Sequence, residues 1–117
     1  MNLLPGRVNL LIDGQFGSTG KGLMASYIAE RQSIDIAVSN ASANAGHTAI
    51  MNTPRWLVPK CGFKVVCHHL PISGVFNDQA LIYLCSGSII DPDILLDEIN
   101  RYRIDPERVK EIGRAHV

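Results

Sequence analysis

"VNLLIDGQFGSTGKG", residues 8–22, decides how the chain is read. Its first five residues are almost all apolar. Strands buried on both faces of a parallel sheet have this composition. The glycine-rich stretch 14–22 follows as a loop. Leu23, Met24, Tyr27 and Ile28 then recur at helical spacing, which predicts a helix from Lys21 to Arg31. A loop between a buried strand and a helix start turns backbone N–H groups toward the positive end of the helix dipole. Glycine lets that backbone approach an anion closely, and Lys21 adds a point charge. The common P-loop pattern GxxxxGK[ST] fails twice: Gln15 occupies the place of its first glycine, and Gly22 follows the lysine. From the residues alone, two readings stand: a phosphate site, or an ordinary strand-to-helix turn whose glycines serve geometry.

Downstream, "IDIAV" (34–38) predicts a second strand, so the order strand, loop, helix, strand places the chain in the α/β class. Residues 39–55 have loop composition. "RWLV" (55–58) and "KVVCHHL" (64–70) read as paired strands joined by "PKCGF", "LPISG" as a turn, and "ALIYLC" (80–85) as a buried strand. Asp91-Pro92 starts a helix, with Leu95, Leu96, Ile99 and Tyr102 on its apolar face and Asp97 and Arg101 on its surface. Asp105-Pro106-Glu107 predicts a further helix.

The 117 residues are 46% apolar, enough for a core, and carry 11 basic and 11 acidic side chains with no basic block. This balance gives no electrostatic case for nucleic acid or a membrane surface. No run of 18 apolar residues marks a membrane span, and the start is a poor signal peptide. Three cysteines without a CxxC pattern fit a reduced, cytoplasmic protein. Cys61, Cys67, His68 and His69 cluster in sequence, but a strand would send His68 and His69 to opposite faces, and the spacing fits no zinc site. Trp56 and Phe63 read as packing residues, Arg101 and Arg103 as solvated ones. A second constellation, Asn44-Ala45-Gly46-His47-Thr48, combines small residues with a histidine that titrates near neutrality and can pass a proton. The last residues, "EIGRAHV" (111–117), can be encoded by a widely used sequencing adapter. The expected organisation is therefore an N-terminal piece of a synthetase domain over 1–110 and an adapter-derived tail over 111–117.

Together, "GQFGSTGKG" and "SANAGHT" resemble the two signature stretches of the adenylosuccinate synthetases, GQWGDEGKGK and NAGHT. "HHLPISGVF" (68–76) and "YLCSGSIIDPDILLDEI" (83–99) are similar to two further segments of that family, in the same order. The resemblance implies a P-loop-NTPase-like, mostly parallel sheet with flanking helices. It also implies a ligase that joins L-aspartate to C6 of a purine nucleotide, Mg²⁺ with ATP or GTP as phosphoryl donor, and a homodimer at full length. Carried onto this chain, triphosphate binding falls to Gly17, Ser18, Thr19, Gly20, Lys21, Gly22, Leu23, Gly46, His47 and Thr48. Purine-nucleotide binding falls to Ser18 through Lys21 and to Asn44, Ala45, Gly46 and His47. Ser18 and Gly46 occupy the metal positions, and His47, Lys21 and Ser18 the catalytic ones.

Three departures stand out. Ser18-Thr19 replace the family's Asp-Glu, Leu23 replaces a lysine, and Ser42-Ala43 replace Gly-His. In the family the aspartate takes the N1 proton of IMP and binds magnesium, the histidine acts on O6, and aspartate then displaces a 6-phosphoryl group. A general base is worth about 10² to 10⁴ in rate, or roughly 3 to 5 kcal/mol of barrier, and serine cannot supply it. The serine resembles the phage-type 2-aminoadenylosuccinate synthetases, which use dGMP. A short hydroxyl leaves room for the 2-amino group of guanine and accepts a hydrogen bond from it. The alternatives are an IMP-using enzyme whose base comes from elsewhere and a non-catalytic nucleotide-binding paralogue.

Overall fold

The structure, a computed structural model, describes residues 2–40, 42, 44–51 and 62–112. Helix α1 (Lys21–Arg31) leads to strand β1 (Ile36–Ser39). Strands β2 (His47–Met51) and β3 (Phe63–Cys67) follow, then the short helix α2 (Ile72–Phe76), strand β4 (Leu81–Leu84) and helix α3 (Pro92–Arg101). A single 3-10 turn, Pro106–Arg108, delivers strand β5 (Val109–Glu111). The sheet order is β1-β4-β5 with both pairings parallel, beside a separate antiparallel β2–β3 pair. The α/β expectation therefore holds.

Local chemistry explains the elements that the sequence predicts well. Asp91 accepts hydrogen bonds from the Asp93 and Ile94 N–H groups at 3.0 and 3.4 Å, and Pro92 opens α3. At the far end of α1, Asn77 donates Nδ2 hydrogen bonds to the carbonyls of Ala29 and Gln32, satisfying acceptors the helix leaves open. The core gathers Ala49, Met51, Val65, Cys67, Leu70, Ile72, Val75, Ile82, Tyr102 and Ile104 from both sheets and their helices. Gly74 admits α2 to the sheet, because a Cβ there would stand 2.6 Å from Ile82 Cγ1.

Several expectations are corrected. Residues 8–12 join no strand, and Val8, Leu10 and Ile12 are 87%, 79% and 77% exposed. An all-apolar strand needs cover on both faces, and no described element covers this one. Within the stretch 39–55, read as loop, residues 47–51 form β2. Its partner β3 supplies the reason: His47 faces Cys67 and Met51 faces Phe63. The proposed strand 55–58, with Trp56, lies outside the described residues, as do Cys61 and residues 113–117. "LPISG" contains α2 rather than a simple turn. The third helix expected after Asp105 is one 3-10 turn, since Val109 to Glu111 gain ladder partners on β4.

The strand expected over 64–70 ends at Cys67. Beyond it the backbone bends around a buried carboxylate. Glu98, only 3% exposed, accepts hydrogen bonds from the N–H groups of His68 at 2.5 Å, His69 at 3.2 Å and Leu70 at 2.9 Å. Glu98 thus lies on the inward face of α3, whereas Leu96, expected on that face, is 56% exposed. Tyr102 adds a second tie from the same helix: its hydroxyl accepts from Val66 N–H and donates to Val66 O.

Candidate functional site

The glycine loop stands open above the start of α1. Gly17 and Gly20 have φ of 89° and 83°, values that favour glycine, and a Cβ at either would meet nothing within 4 Å. Gly20 is the N-cap of α1, and no side chain caps the helix. No side chain therefore occupies the first-turn N–H groups, an arrangement that suits an anion. Ser18, Thr19 and Leu23 are exposed on this loop and first turn.

Two charged side chains close across it. Lys21 Nζ lies 2.7 Å from Asp13 Oδ2, and Thr19 Oγ1 donates to Asp13 Oδ1. The lysine ammonium first, then the threonine hydroxyl, hold the Asp13 carboxyl below its ordinary pKa.

The second motif meets this loop through one close contact. A Cβ on Gly22 would lie 2.7 Å from His47 Cβ, so the first turn of α1 packs directly on the start of β2. Burial, reinforced by the charge of Lys21 and opposed by that of Asp13, pushes the His47 imidazole below its usual pKa. His47 is thus biased toward the neutral form, which still offers one ring N–H.

Asn44, Ala45 and Gly46 are exposed, and Thr48 points outward from β2. Their loop is anchored from beneath: His68 Nδ1 donates to Ala45 O at 2.8 Å, and the same ring lies 3.1 Å from where a Gly46 Cβ would sit. The structure therefore brings Lys21, Gly22 and His47 together. It leaves Gly17, Ser18 and residues 44–46 as exposed surfaces flanking them.

Three contributors carry no motif signal. Asp13 looks like the polar end of a strand; the available clue is that it is the one carboxylate flanking a loop that lacks one at position 18. His68 belongs to the cysteine–histidine cluster but serves as a backbone anchor, and Glu98 reads as helix surface. Among the described residues no group of three or more His, Cys, Asp or Glu could hold a metal. Mg²⁺ commonly arrives with substrate phosphates and needs only one or two protein oxygens. The Ser18 hydroxyl and the Gly46 carbonyl, both on exposed backbone beside the loop, fit that donor chemistry. Cys67 is fully buried, and burial followed by the Glu98 charge drives its thiol pKa far upward, so it stays a packing residue.

Fold and loop together define an α/β protein that presents an uncapped, glycine-rich helix start to an exposed histidine motif. Residues 10–112 match the family model for adenylosuccinate synthetase. The chain belongs to the adenylosuccinate synthetase family. It is 37% identical over 94 residues to the N6-succino-2-amino-2'-deoxyadenylate synthase of Salmonella phage PMBT28, covering 80% of this chain and 23% of that one. Identity to the synthase of the same name from Cyanophage S-2L is 40% over 90 residues, 77% of this chain and 23% of the relative. The adenylosuccinate synthetase of Chlorobaculum tepidum is 34% identical over 104 residues, 89% of this chain and 20% of its own. The chain thus spans between a fifth and a quarter of the length of these relatives. No described helix is long and apolar enough to cross a membrane.

Proposed function

We propose that this chain forms the triphosphate and purine side of a ligase that, at full length, joins L-aspartate to C6 of dGMP. The observation that carries the choice of dGMP is Ser18, a small hydroxyl at the tip of an exposed loop where the family pattern has aspartate. Similarity to two phage synthases named for a 2-amino-2'-deoxyadenylate product supports it. The longer match to a bacterial adenylosuccinate synthetase favours the rival substrate, IMP.

In this reading, backbone N–H groups from Gly17 to Leu23 hold the triphosphate. Lys21 leaves Asp13 and stabilises the phosphoryl group in transfer. Asn44 to Gly46 line the purine nucleotide. Neutral His47 donates its ring N–H toward O6, and Ser18 accepts from the 2-amino group. Ser18 Oγ and Gly46 O would hold Mg²⁺, which would supply charge neutralisation at the phosphates. O6 phosphorylation then prepares C6 for displacement by the amine of aspartate.

The longer protein is proposed to continue past Lys110, with 111–117 as translated adapter, and to act as a cytoplasmic homodimer. Ile36, Val38 and Leu81, 52%, 54% and 39% exposed on one face of the sheet, are surfaces that further chain would cover. The test uses the full-length protein with aspartate, Mg²⁺, ATP plus GTP, and equal dGMP and IMP, with products identified by mass spectrometry. A succinylated product from dGMP is expected. Product from IMP alone overturns the choice of substrate, and triphosphate binding without product from either purine identifies a non-catalytic paralogue.

A further inference from the structure

The reaction proposed above leaves N1 of the purine without a proton acceptor, because position 18 is serine. The structure brings a carboxylate to the same loop from another place. Asp13 precedes the glycines and folds back over them, one oxygen on Thr19 and the other 2.7 Å from Lys21 Nζ. Thr19 is the neighbour of Ser18. Across the first turn of α1, the Gly22 contact brings up His47. A carboxylate, an ammonium and an imidazole therefore converge on one helix start. With side chains 27% and 33% exposed, Asp13 and Lys21 are sheltered yet reachable by a ligand.

A carboxylate paired with lysine is occupied, but the pairing is exchangeable. A triphosphate carries more negative charge than one aspartate and offers Lys21 several oxygens, and the long lysine stem lets the ammonium follow. Once Lys21 turns, Asp13 Oδ2 has no partner, while Thr19 still fixes Oδ1. The result is an oriented carboxylate held by Thr19, the neighbour of Ser18.

We propose that Asp13 supplies the base that position 18 lacks, accepting the N1 proton of the purine when Lys21 turns to the triphosphate. The inference rests on the ligase reading above. In the step, the N1–H bond breaks and an Asp13 O–H bond forms. The electron pair left on N1 moves through the ring to O6, which attacks the γ-phosphorus. The bond from that phosphorus to the bridging oxygen breaks, and the nucleoside diphosphate leaves with the pair. Asp13 returns its proton to water after product release. A carboxylate from the strand end of the loop thus takes over from one at its tip, and the tip is free to hold a small residue beside the 2-amino group.

The experiment compares the full-length parent with Asp13→Asn and Asp13→Ala. Asparagine keeps the size of the side chain and an oxygen for Thr19 but cannot take the proton. Asp13→Asn is expected to lower kcat with dGMP by about 10²- to 10⁴-fold while its dissociation constants for dGMP and the triphosphate stay within about threefold of the parent. In Asp13→Ala, added formate is expected to restore turnover in proportion to its concentration, a response that a purely structural residue does not give. Asp13→Asn turning over within about threefold of the parent overturns the proposal. So does loss of nucleotide binding in Asp13→Asn together with no formate rescue in Asp13→Ala, which would make Asp13 a loop staple. If the parent uses IMP alone, the substrate reading fails by itself, and the same comparison run with IMP decides the role of Asp13.

Discussion

The bend against α3 and the glycine loop before α1 are built on opposite terms. On the side of α3, the bend at residues 68–70 is closed: Glu98 and Tyr102 meet four backbone groups of Val66, His68, His69 and Leu70 by way of N–H donors, and Tyr102 returns one bond to a carbonyl. On the side of the glycine loop, no side chain caps the start of α1, and Asp13 pairs with Thr19 and Lys21 at the far end of the loop. The closed side holds its atoms by satisfying them. The open side leaves groups unsatisfied where a ligand would complete them. His68 links the two, because its backbone belongs to the Glu98 bend and its ring holds the Ala45 carbonyl.

Removing the buried carboxylate should break the closed side with the largest effect. Glu98→Ala strips the bend of the acceptor for three N–H groups in a position that is 3% exposed. Leaving a buried donor without an acceptor costs about 1 to 3 kcal/mol, and three lose theirs together, so the midpoint of urea unfolding should fall accordingly. Glu98→Gln retains one acceptor oxygen and should lose less. A Glu98→Ala midpoint equal to the parent would show that the bend does not depend on the carboxylate.

The junction is sharpened by Gly22→Ala. Helix propensity alone favours alanine over glycine by about 1 kcal/mol. Against it stands a Cβ 2.7 Å from His47 Cβ, a contact between two backbone-fixed atoms that no rotamer relieves. Overpacking of this kind costs about 1 to 3 kcal/mol, so the substitution should destabilise by a net of roughly 0 to 2 kcal/mol. It should also lower turnover in the full-length protein by moving His47 away from the first turn. A variant that is more stable and equally active would mean that α1 and β2 are not held together as described.

What could be read from the sequence followed from how local each cause is. Asp91-Pro92 fixes the start of α3 by chemistry within four residues, and the spacing of Leu23, Met24, Tyr27 and Ile28 marks α1, although the face the helix buries is Gly22, Ser26, Ile28 and Ala29 and the first three of those apolar residues are exposed. The motifs "GQFGSTGKG" and "SANAGHT" mark the candidate site for the same reason. β2 was hidden because its residues are small and mixed, and it is a strand only by pairing with Phe63 to Cys67. The exposed run at 8–12 misled in the other direction: composition reports a tendency to be buried, while burial depends on what else is present to cover it. Glu98 gave no local sign, since a glutamate on an amphipathic helix usually faces water. Only the bend packed against it makes the inside favourable. Asp13 gives no local sign either, because its pairing with Lys21 forms only when the loop folds back across it.

The smallest of these effects belongs to the open side, and it distinguishes a site poised for a ligand from a loop that is merely exposed. Burial and the Lys21 charge both disfavour imidazolium at position 47, and Asp13 only partly offsets them. Following His47 by NMR should therefore place its titration below the ordinary histidine value of about 6.5. The linked stability has the matching sign. An unfolded chain binds the proton more readily than the folded one, so the contribution of His47 is full above that ordinary value and is lost as pH falls from it toward the lower folded pKa. Lys21→Met removes one of the two depressing causes and should move the titration upward. Asp13→Asn removes the opposing one and should move it further down. If neither substitution moves His47, the three groups do not share one electrostatic neighbourhood, and the convergence on the start of α1 has no chemical consequence. Shifts of opposite sign in the two variants would establish that Lys21 and Asp13 act on His47 as a unit in the unliganded protein.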